Sequence, residues 1–152
     1  SSYIKNDLVD FLIKKKAINI HMGISPYYRG TDCNFWALYD NNPHLVGATI
    51  HMLSKGIDSG QILYHAISNI NDNPFEYTMS TVKAAFISIV ERIKNKKLLD
   101  IKPEKQNREK EIRYSKAIDF NDVKVKEFFK KKINIKEKFD FSMLKDPFVL
   151  KK

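Results

Sequence analysis

The chain is poor in cysteine, with one at position 33, and it holds five glycines and five prolines among 152 residues. Because one cysteine cannot form an internal disulfide, disulfide-stapled secreted domains are excluded and we expect a cytoplasmic location. No run of about eighteen apolar residues occurs, so we expect no membrane span. No charged-then-apolar signal stretch opens the chain. A lone cysteine can be a nucleophile, but no protease signature surrounds Cys33.

The charge is distributed unevenly along the chain. Residues 1–91 hold 7 Lys and Arg against 8 Asp and Glu, whereas residues 92–152 hold 20 against 10, which gives a net charge of +9. A basic segment attracts phosphates. No pattern of aromatic residues with arginine accompanies these lysines, so a solvated lysine-rich surface is favoured over a nucleic-acid interface.

The order of periodic segments predicts an α/β fold. In chain order we predict a helix capped by Asn6 or Asp7 through Lys15, a buried parallel strand at 17–20, a short helix at 34–39 capped by Asp32, strands at 46–53 and 61–70, and a long helix from Pro74 to about Ile93. Alternating helices and strands are typical of α/β domains. The turn between the last two strands is short, so we expect them to be antiparallel.

The long helix carries a continuous apolar stripe, which we expect to cover one face of the sheet. Its members are Phe75, Met79, Val82, Ala85, Phe86, Ile89, Val90 and Ile93. Beyond it, residues 95–111 are predicted to be a loop or arm, residues 122–132 a weak helix, and the last twenty irregular. We therefore divide the chain into a domain at 1–100 and a basic, weakly structured extension at 101–152.

Three polar residues stand where strands end. Asn19 and His21 close the strand at 17–20, and Asp58 lies in a turn bounded by Gly56 and Gly60. In acyl transfer an amide or a protonated imidazole donates to the oxyanion, and a carboxylate orients the imidazole and favours its charged form. A His–Asp pair can also move the proton. An amide, an imidazole and a carboxylate on separate elements therefore suit acyl-type transfer.

Two motifs carry a resemblance to a known family. Asn19-Ile20-His21, followed by a loop that ends Pro-x-Tyr-Arg-Gly at residues 26–30, resembles the first signature of the folate-dependent formyltransferases. Thr49-Ile50-His51, followed seven residues later by Asp58 in Asp-Ser-Gly-x-Ile-Leu, is similar to the second. The family includes methionyl-tRNA, glycinamide ribonucleotide and nucleotide-sugar N-formyltransferases. The resemblance covers residues 1–95 and implies a Rossmann-like domain with a mixed sheet.

The resemblance also implies a reaction and its residues. A formyl group moves from 10-formyl-tetrahydrofolate to an amine, with Asn19, His21 and Asp58 as the catalytic trio and no metal. The residues expected to border the folate are Ile4, Met52, Leu53, Ser54, Lys55 and Ile57. The family has several βα units before the asparagine strand, and only eighteen residues precede Asn19 here. We therefore expect the C-terminal portion of such a domain, with Tyr3 and Ile4 at the remaining edge of the folate pocket.

Other residues near the motifs are further candidates for binding or structural roles. Arg29 binds a substrate phosphate or braces the loop. Asn34 and Trp36, just after that loop, are candidates to face the acceptor. His51, in mid-strand, is interpreted as a structural hydrogen-bonding residue. Two positions depart from the family pattern: Gly23 replaces the usual serine, and Ser25 replaces the usual leucine.

The acceptor is left open among three amines. A tRNA substrate calls for a C-terminal nucleic-acid-binding barrel, which the last fifty residues are too short to form. The glycinamide ribonucleotide enzymes lack such an extension, so an amino-sugar nucleotide is favoured, and oligomers are compatible with the sequence. The alternatives are hydrolysis of the formyl-folate by water and an inactive fragment that serves as a basic binding module.

Overall fold

The structure, a computed structural model, describes residues 4, 6–133, 135 and 140–151. Tyr3, which we expected to border the folate pocket, lies outside these residues. The helices and strands, in chain order, are α1 Asp7–Lys14, β1 Ile18–His21, β2 Tyr28–Gly30, α2 Cys33–Tyr39, β3 Ala48–Met52, β4 Ile62–Ser68, α3 Pro74–Lys94, β5 Arg113–Ser115, α4 Asp122–Lys130 and β6 Phe148–Leu150.

The main sheet has four strands in the order β1-β3-β4-β6 and is mixed. β3 pairs antiparallel with both β1 and β4, whereas β4 pairs parallel with β6. The predicted antiparallel pair of β3 and β4 is confirmed. The prediction that the strand at 17–20 pairs in parallel is wrong for the described residues, because its ladder runs antiparallel to β3.

The long helix begins where the sequence predicts. The Asn73 side chain accepts hydrogen bonds from the backbone N–H groups of Phe75 and Glu76, and Pro74 occupies the first turn. These contacts satisfy donors that a helix start leaves unpaired. At the two shorter helices, by contrast, the predicted caps at Asn6 and Asp32 make no side-chain capping hydrogen bond.

The face that α3 turns to the sheet differs from the prediction. Its buried residues are Tyr77, Thr81, Ala84, Ala85 and Ser88. Small side chains let the helix approach β4 closely, and Ser88 meets the Tyr64 hydroxyl at 3.1 Å. Most of the predicted stripe, including Phe75 and Phe86, faces away from the sheet and is exposed. The prediction that this stripe covers the sheet is therefore wrong, apart from the buried Ala85 and the half-buried Ile89, which pack on the sheet core.

The segment after residue 100 is more ordered than its composition suggests. Its strand β5 pairs in parallel with β2 as a two-stranded sheet, and β6 becomes the edge strand of the main sheet. The prediction that the last twenty residues are irregular is thus wrong at 148–150, where backbone pairing with β4 fixes the strand. The weak helix predicted at 122–132 is confirmed as α4. In its described residues the extension therefore consists of short helices and strands. Two of the strands, β5 and β6, pair with strands of the first hundred residues.

Candidate active site

The strand register brings the predicted residues together. Asn19 on β1 lies directly opposite His51 on β3, and His21 closes the same strand. After β3 the chain turns through residues 53–60, which carry Asp58, and returns as β4. Neighbouring strands lie about 5 Å apart, so facing residues on one side of a sheet are within reach of each other.

His21 and Asp58 form a buried ion-pair contact. The distance from His21 Nδ1 to Asp58 Oδ2 is 3.2 Å, and the two side chains are 5% and 14% exposed. On the other side of the ring, His21 Nε2 lies 3.1 Å from the carbonyl oxygen of Tyr28. Two acceptors therefore face the two ring nitrogens, and an imidazolium would donate to both of them.

The protonation of this pair is set by opposing effects. Burial lowers the pKa of His21 below its ordinary value, while Asp58 and the Tyr28 carbonyl act in the opposite direction. Burial alone would raise the pKa of Asp58, but the His51 contact and the neighbouring positive charge outweigh it and hold that pKa below its usual range. Asp58 is therefore the ionised partner, and His21 is a base that can gain and lose a proton.

Asn19 is held by His51. The Asn19 amide nitrogen Nδ2 lies 3.2 Å from His51 Nε2, and His51 Nδ1 lies 2.8 Å from the carbonyl oxygen of Met52. A proton on Nδ1 donated to that carbonyl leaves Nε2 to accept from the amide, so one tautomer satisfies both contacts. This arrangement leaves the second amide hydrogen of Asn19 available to a ligand.

His51 belongs to the cluster as well as to the strand. Its Nε2, which faces the Asn19 amide, also lies 3.8 Å from Asp58 Oδ1, so one ring nitrogen is close to both the amide and the carboxylate. From the sequence, His51 is interpreted as a structural hydrogen-bonding residue, and its contacts agree with that interpretation. They also place it in the site, which the sequence does not predict. The signal that would have found it is the antiparallel pairing of β1 with β3, which sets it opposite Asn19.

A cavity of about 710 Å³ opens beside these four side chains. Ile4, Leu53, Ser54 and Ile57, all predicted to border the folate, line it together with the four polar residues. Residues 114–117 of the extension also line it. A volume of this size is typical of small-molecule sites.

Two of the predicted folate residues do not line this cavity. Met52 packs against the sheet core. Lys55 extends into solvent, where its Nζ lies 2.8 Å from a carboxylate oxygen of Asp10.

The residues predicted to contact the acceptor lie elsewhere. The Asn34 amide donates to Thr81 and accepts from the Gly47 backbone, and Trp36 is 2% exposed inside the core. Neither side chain reaches the cavity, because both are on the inner face of α2. Both side chains are buried, and neither lines the cavity that holds the candidate catalytic residues.

Arg29 braces the loop that carries Asp58. It is buried, and its two terminal nitrogens each donate over 2.8 Å, one to a carboxylate oxygen of Glu111 and the other to the carbonyl of Ile57. Of the two interpretations of Arg29, the contacts support bracing.

Gln106 is a further residue of the site, and no motif in the sequence singles it out. Its amide nitrogen donates to the backbone carbonyls of Asp58 at 2.8 Å and Gly60 at 2.7 Å. One side chain from the extension thus holds both sides of the turn that presents the carboxylate. Among the residues that the structure describes, no group of three or more His, Cys, Asp or Glu could hold a metal ion.

Comparison with known proteins identifies the family. The family model described as formyl transferase matches residues 3–93, and the chain belongs to this family. A methionyl-tRNA formyltransferase from Thermodesulfovibrio yellowstonii is 36% identical over 67 residues, which is 44% of this chain and 21% of that protein.

Solved structures of formyltransferases share the Rossmann-like fold. The formyltransferase PseJ from Anoxybacillus kamchatkensis, solved with UDP-4,6-dideoxy-4-formamido-L-AltNAc and tetrahydrofolate, is 28% identical with a TM-score of 0.59. The match covers 78% of this chain and 61% of that one. A 4-N formyltransferase from Francisella tularensis matches with the same identity and TM-score, over 78% of this chain and 47% of the other. The chain therefore spans only part of the relatives that it matches. No helix in the described part of the chain is long and apolar enough to cross a membrane.

Proposed function

We propose that this chain carries the catalytic portion of a folate-dependent formyltransferase, which transfers the formyl group of 10-formyl-tetrahydrofolate to an amine. The observation that supports it is the cluster of Asn19, His21 and Asp58 at the wall of one cavity, with the His21–Asp58 contact at 3.2 Å. Membership of the formyl transferase family, together with the structure of a relative solved with tetrahydrofolate, supports 10-formyl-tetrahydrofolate as the formyl donor.

The reaction forms one carbon–nitrogen bond and breaks another. The acceptor amine attacks the formyl carbon, a tetrahedral oxyanion forms, and the bond to the folate nitrogen then breaks. Asn19 donates its second amide hydrogen to the oxyanion, since this requires no existing contact to be broken. The amine loses one proton and the folate nitrogen gains one.

His21 acts in this scheme as a proton carrier paired with Asp58. Acceptors face both of its ring nitrogens, and the neutral ring donates to only one of them. Proton exchange with the substrate therefore requires a ring nitrogen to turn from its present contact to the substrate. Asp58 stabilises the imidazolium that forms when His21 takes the proton of the amine. Burial keeps the ring neutral at rest and therefore ready to accept it.

For the acceptor we propose an amine on a nucleotide-linked sugar. The support comes from PseJ, which was solved with UDP-4,6-dideoxy-4-formamido-L-AltNAc and matches over 78% of this chain, including part of the extension. The cavity wall built by residues 114–117 then borders the acceptor. We also keep the division at residue 100 as a proposal, with the extension packed on the catalytic portion.

A second candidate is formylation of methionyl-tRNA, favoured by the relative that is 36% identical over 67 residues. Turnover of the full protein on a nucleotide-linked amino sugar, charged initiator tRNA and glycinamide ribonucleotide separates these acceptors. Formate release without any amine would indicate hydrolysis instead.

The catalytic roles are tested by His21→Ala and Asp58→Asn, each assayed for formyl transfer at saturating donor and acceptor. We expect kcat to fall about 100-fold or more in both variants, which is within the range of general acid–base contributions. Asp100→Asn, which changes an exposed carboxylate far from the cavity, is the matched control. Near-normal transfer by His21→Ala would remove the basis of the proposal.

A further inference from the structure

Helix α3 exposes an apolar stripe along its whole length. Its members are Phe75, Met79, Val82, Phe86, Val90 and Ile93, of which all except the half-buried Val82 are 50 to 74% exposed. Single exposed apolar residues are ordinary, but six aligned on one helix are not. The stripe lies opposite the small residues that pack on the sheet, so nothing in the described part of the chain covers it.

The spacing of the stripe is that of a helix seam. Successive members are separated by four, three, four, four and three residues, close to the heptad rhythm by which helices pair. From Phe75 to Ile93 the stripe runs 18 residues, which is five turns of 3.6 residues and about 27 Å. The seam is therefore straight and long enough to pair with another helix.

We propose that α3 pairs antiparallel with the α3 of a second copy of this chain, about a two-fold axis near residues 82–86. With Phe75 opposite Ile93 of the other copy, the axis also brings Met79 towards Val90, and Val82 towards Phe86. Large and small apolar residues then alternate along the seam. The contact is isologous, the commonest kind in homodimers.

The charges beside the stripe select this orientation. Glu76 and Lys94 are also 18 residues apart, so they lie on the same flank of the stripe at opposite ends of α3. In an antiparallel pair the same flanks face each other, which sets Glu76 of one copy beside Lys94 of the next, twice. A parallel pair would instead set opposite flanks against each other, with Glu76 and Lys94 at opposite ends of the seam and on opposite sides of it, so neither pair of charges would meet. The antiparallel arrangement also opposes the two helix dipoles favourably.

The size of the contact sets the expected strength. A single helix pair lies at the low end of specific interfaces, so we expect a dissociation constant of about 1–50 µM. Lys83 lies near the two-fold axis, on the flank that carries Glu76 and Lys94, so the Lys83 side chains of the two copies face each other. Their repulsion also keeps the affinity modest.

The experiment measures the dimer dissociation constant of the full protein by analytical ultracentrifugation. Phe86→Glu places a charge at the centre of the seam and should weaken the dimer at least about 30-fold. Glu76→Lys and Lys94→Glu should each weaken it about 3- to 10-fold, and the double charge swap should restore it. If Phe86→Glu fails to fold, the charge-swap variants still test the proposal.

Two controls are matched to these changes. Phe129→Glu alters an exposed phenylalanine on α4, and Glu91→Lys alters a charge on α3 away from the flank of Glu76, so neither should change the dissociation constant. A monomer at concentrations up to about 100 µM would overturn the proposal, and it would mean that another segment or protein covers the stripe. An equal effect of Phe129→Glu, or a double swap that restores nothing, would overturn it as well.

Discussion

Replacing Gln106 with alanine should impair the site, although Gln106 itself does not line the cavity. The Gln106 amide nitrogen donates to the carbonyls of Asp58 and Gly60, which are the two ends of one short turn. Asp58 has a φ of +46°, a left-handed conformation that is strained for a residue with a side chain. A turn of this kind needs support from outside itself, and Gln106 supplies part of it.

The size of the effect follows from the two hydrogen bonds. Each contributes about 0.5–1.5 kcal/mol net, so removing both costs the ordered turn about 1–3 kcal/mol. If transfer requires that turn, kcat falls about 5- to 150-fold, since each 1.36 kcal/mol is tenfold in rate. KM should change less, because the lining residues remain.

Two readouts test this reasoning. Formyl transfer gives kcat and KM, and NMR titration of the His21 ring gives its pKa. A loosened Asp58 no longer favours the imidazolium, so the pKa of His21 should fall further in Gln106→Ala. Gln61→Ala, at an exposed glutamine, is the control. An unchanged kcat and an unchanged His21 titration would refute the view that the extension positions the carboxylate.

Two further predictions concern His65 in β4 and Gly60 in the turn before β4. His65 accepts a hydrogen bond from the Lys145 backbone N–H and donates to the Ser25 carbonyl, and burial lowers its pKa to about 4. Since the folded pKa lies below the unfolded value of 6.5, its contribution is complete above pH 6.5 and is lost as pH falls towards 4. The free energy of unfolding from urea melts should thus drop about 2 kcal/mol between pH 7.5 and 5, and less in His65→Gln; equal slopes would contradict this. Gly60→Ala places a Cβ 1.6 Å from the Met52 carbonyl oxygen, so we expect at least about 2 kcal/mol of destabilisation and a larger loss of kcat than in Gln106→Ala.

The sequence predicts those features that depend on local order. The start of α3 follows from Asn73-Pro74, and the antiparallel β3–β4 pair follows from the short turn. The family motifs single out Asn19, His21 and Asp58, and the structure brings these three side chains to one cavity; their catalytic roles stay a proposal.

The remaining features depend on contacts between distant residues or on choices that periodicity leaves open. Gln106 is 48 residues from Asp58, and no pattern in a single sequence connects them. On α3, an apolar stripe and a stripe of small residues share one helix. Periodicity shows both and does not show which faces the sheet. Close packing on β4 favours the small residues, Ala84 and Ala85 among them.

The extension after residue 100 is part of the site in a physical sense. The Arg29 guanidinium donates hydrogen bonds to the Glu111 carboxylate and to the carbonyl of Ile57, the residue before Asp58. Gln106 holds the carbonyls on the other side of the same turn. The strained turn is therefore held by Gln106 directly and by Glu111 through Arg29, and the family match at 3–93 leaves out both Gln106 and Glu111. Residues 114–117 of the same extension also line the cavity, so substitutions in this segment can change the shape of the cavity without altering the His21–Asp58 pair.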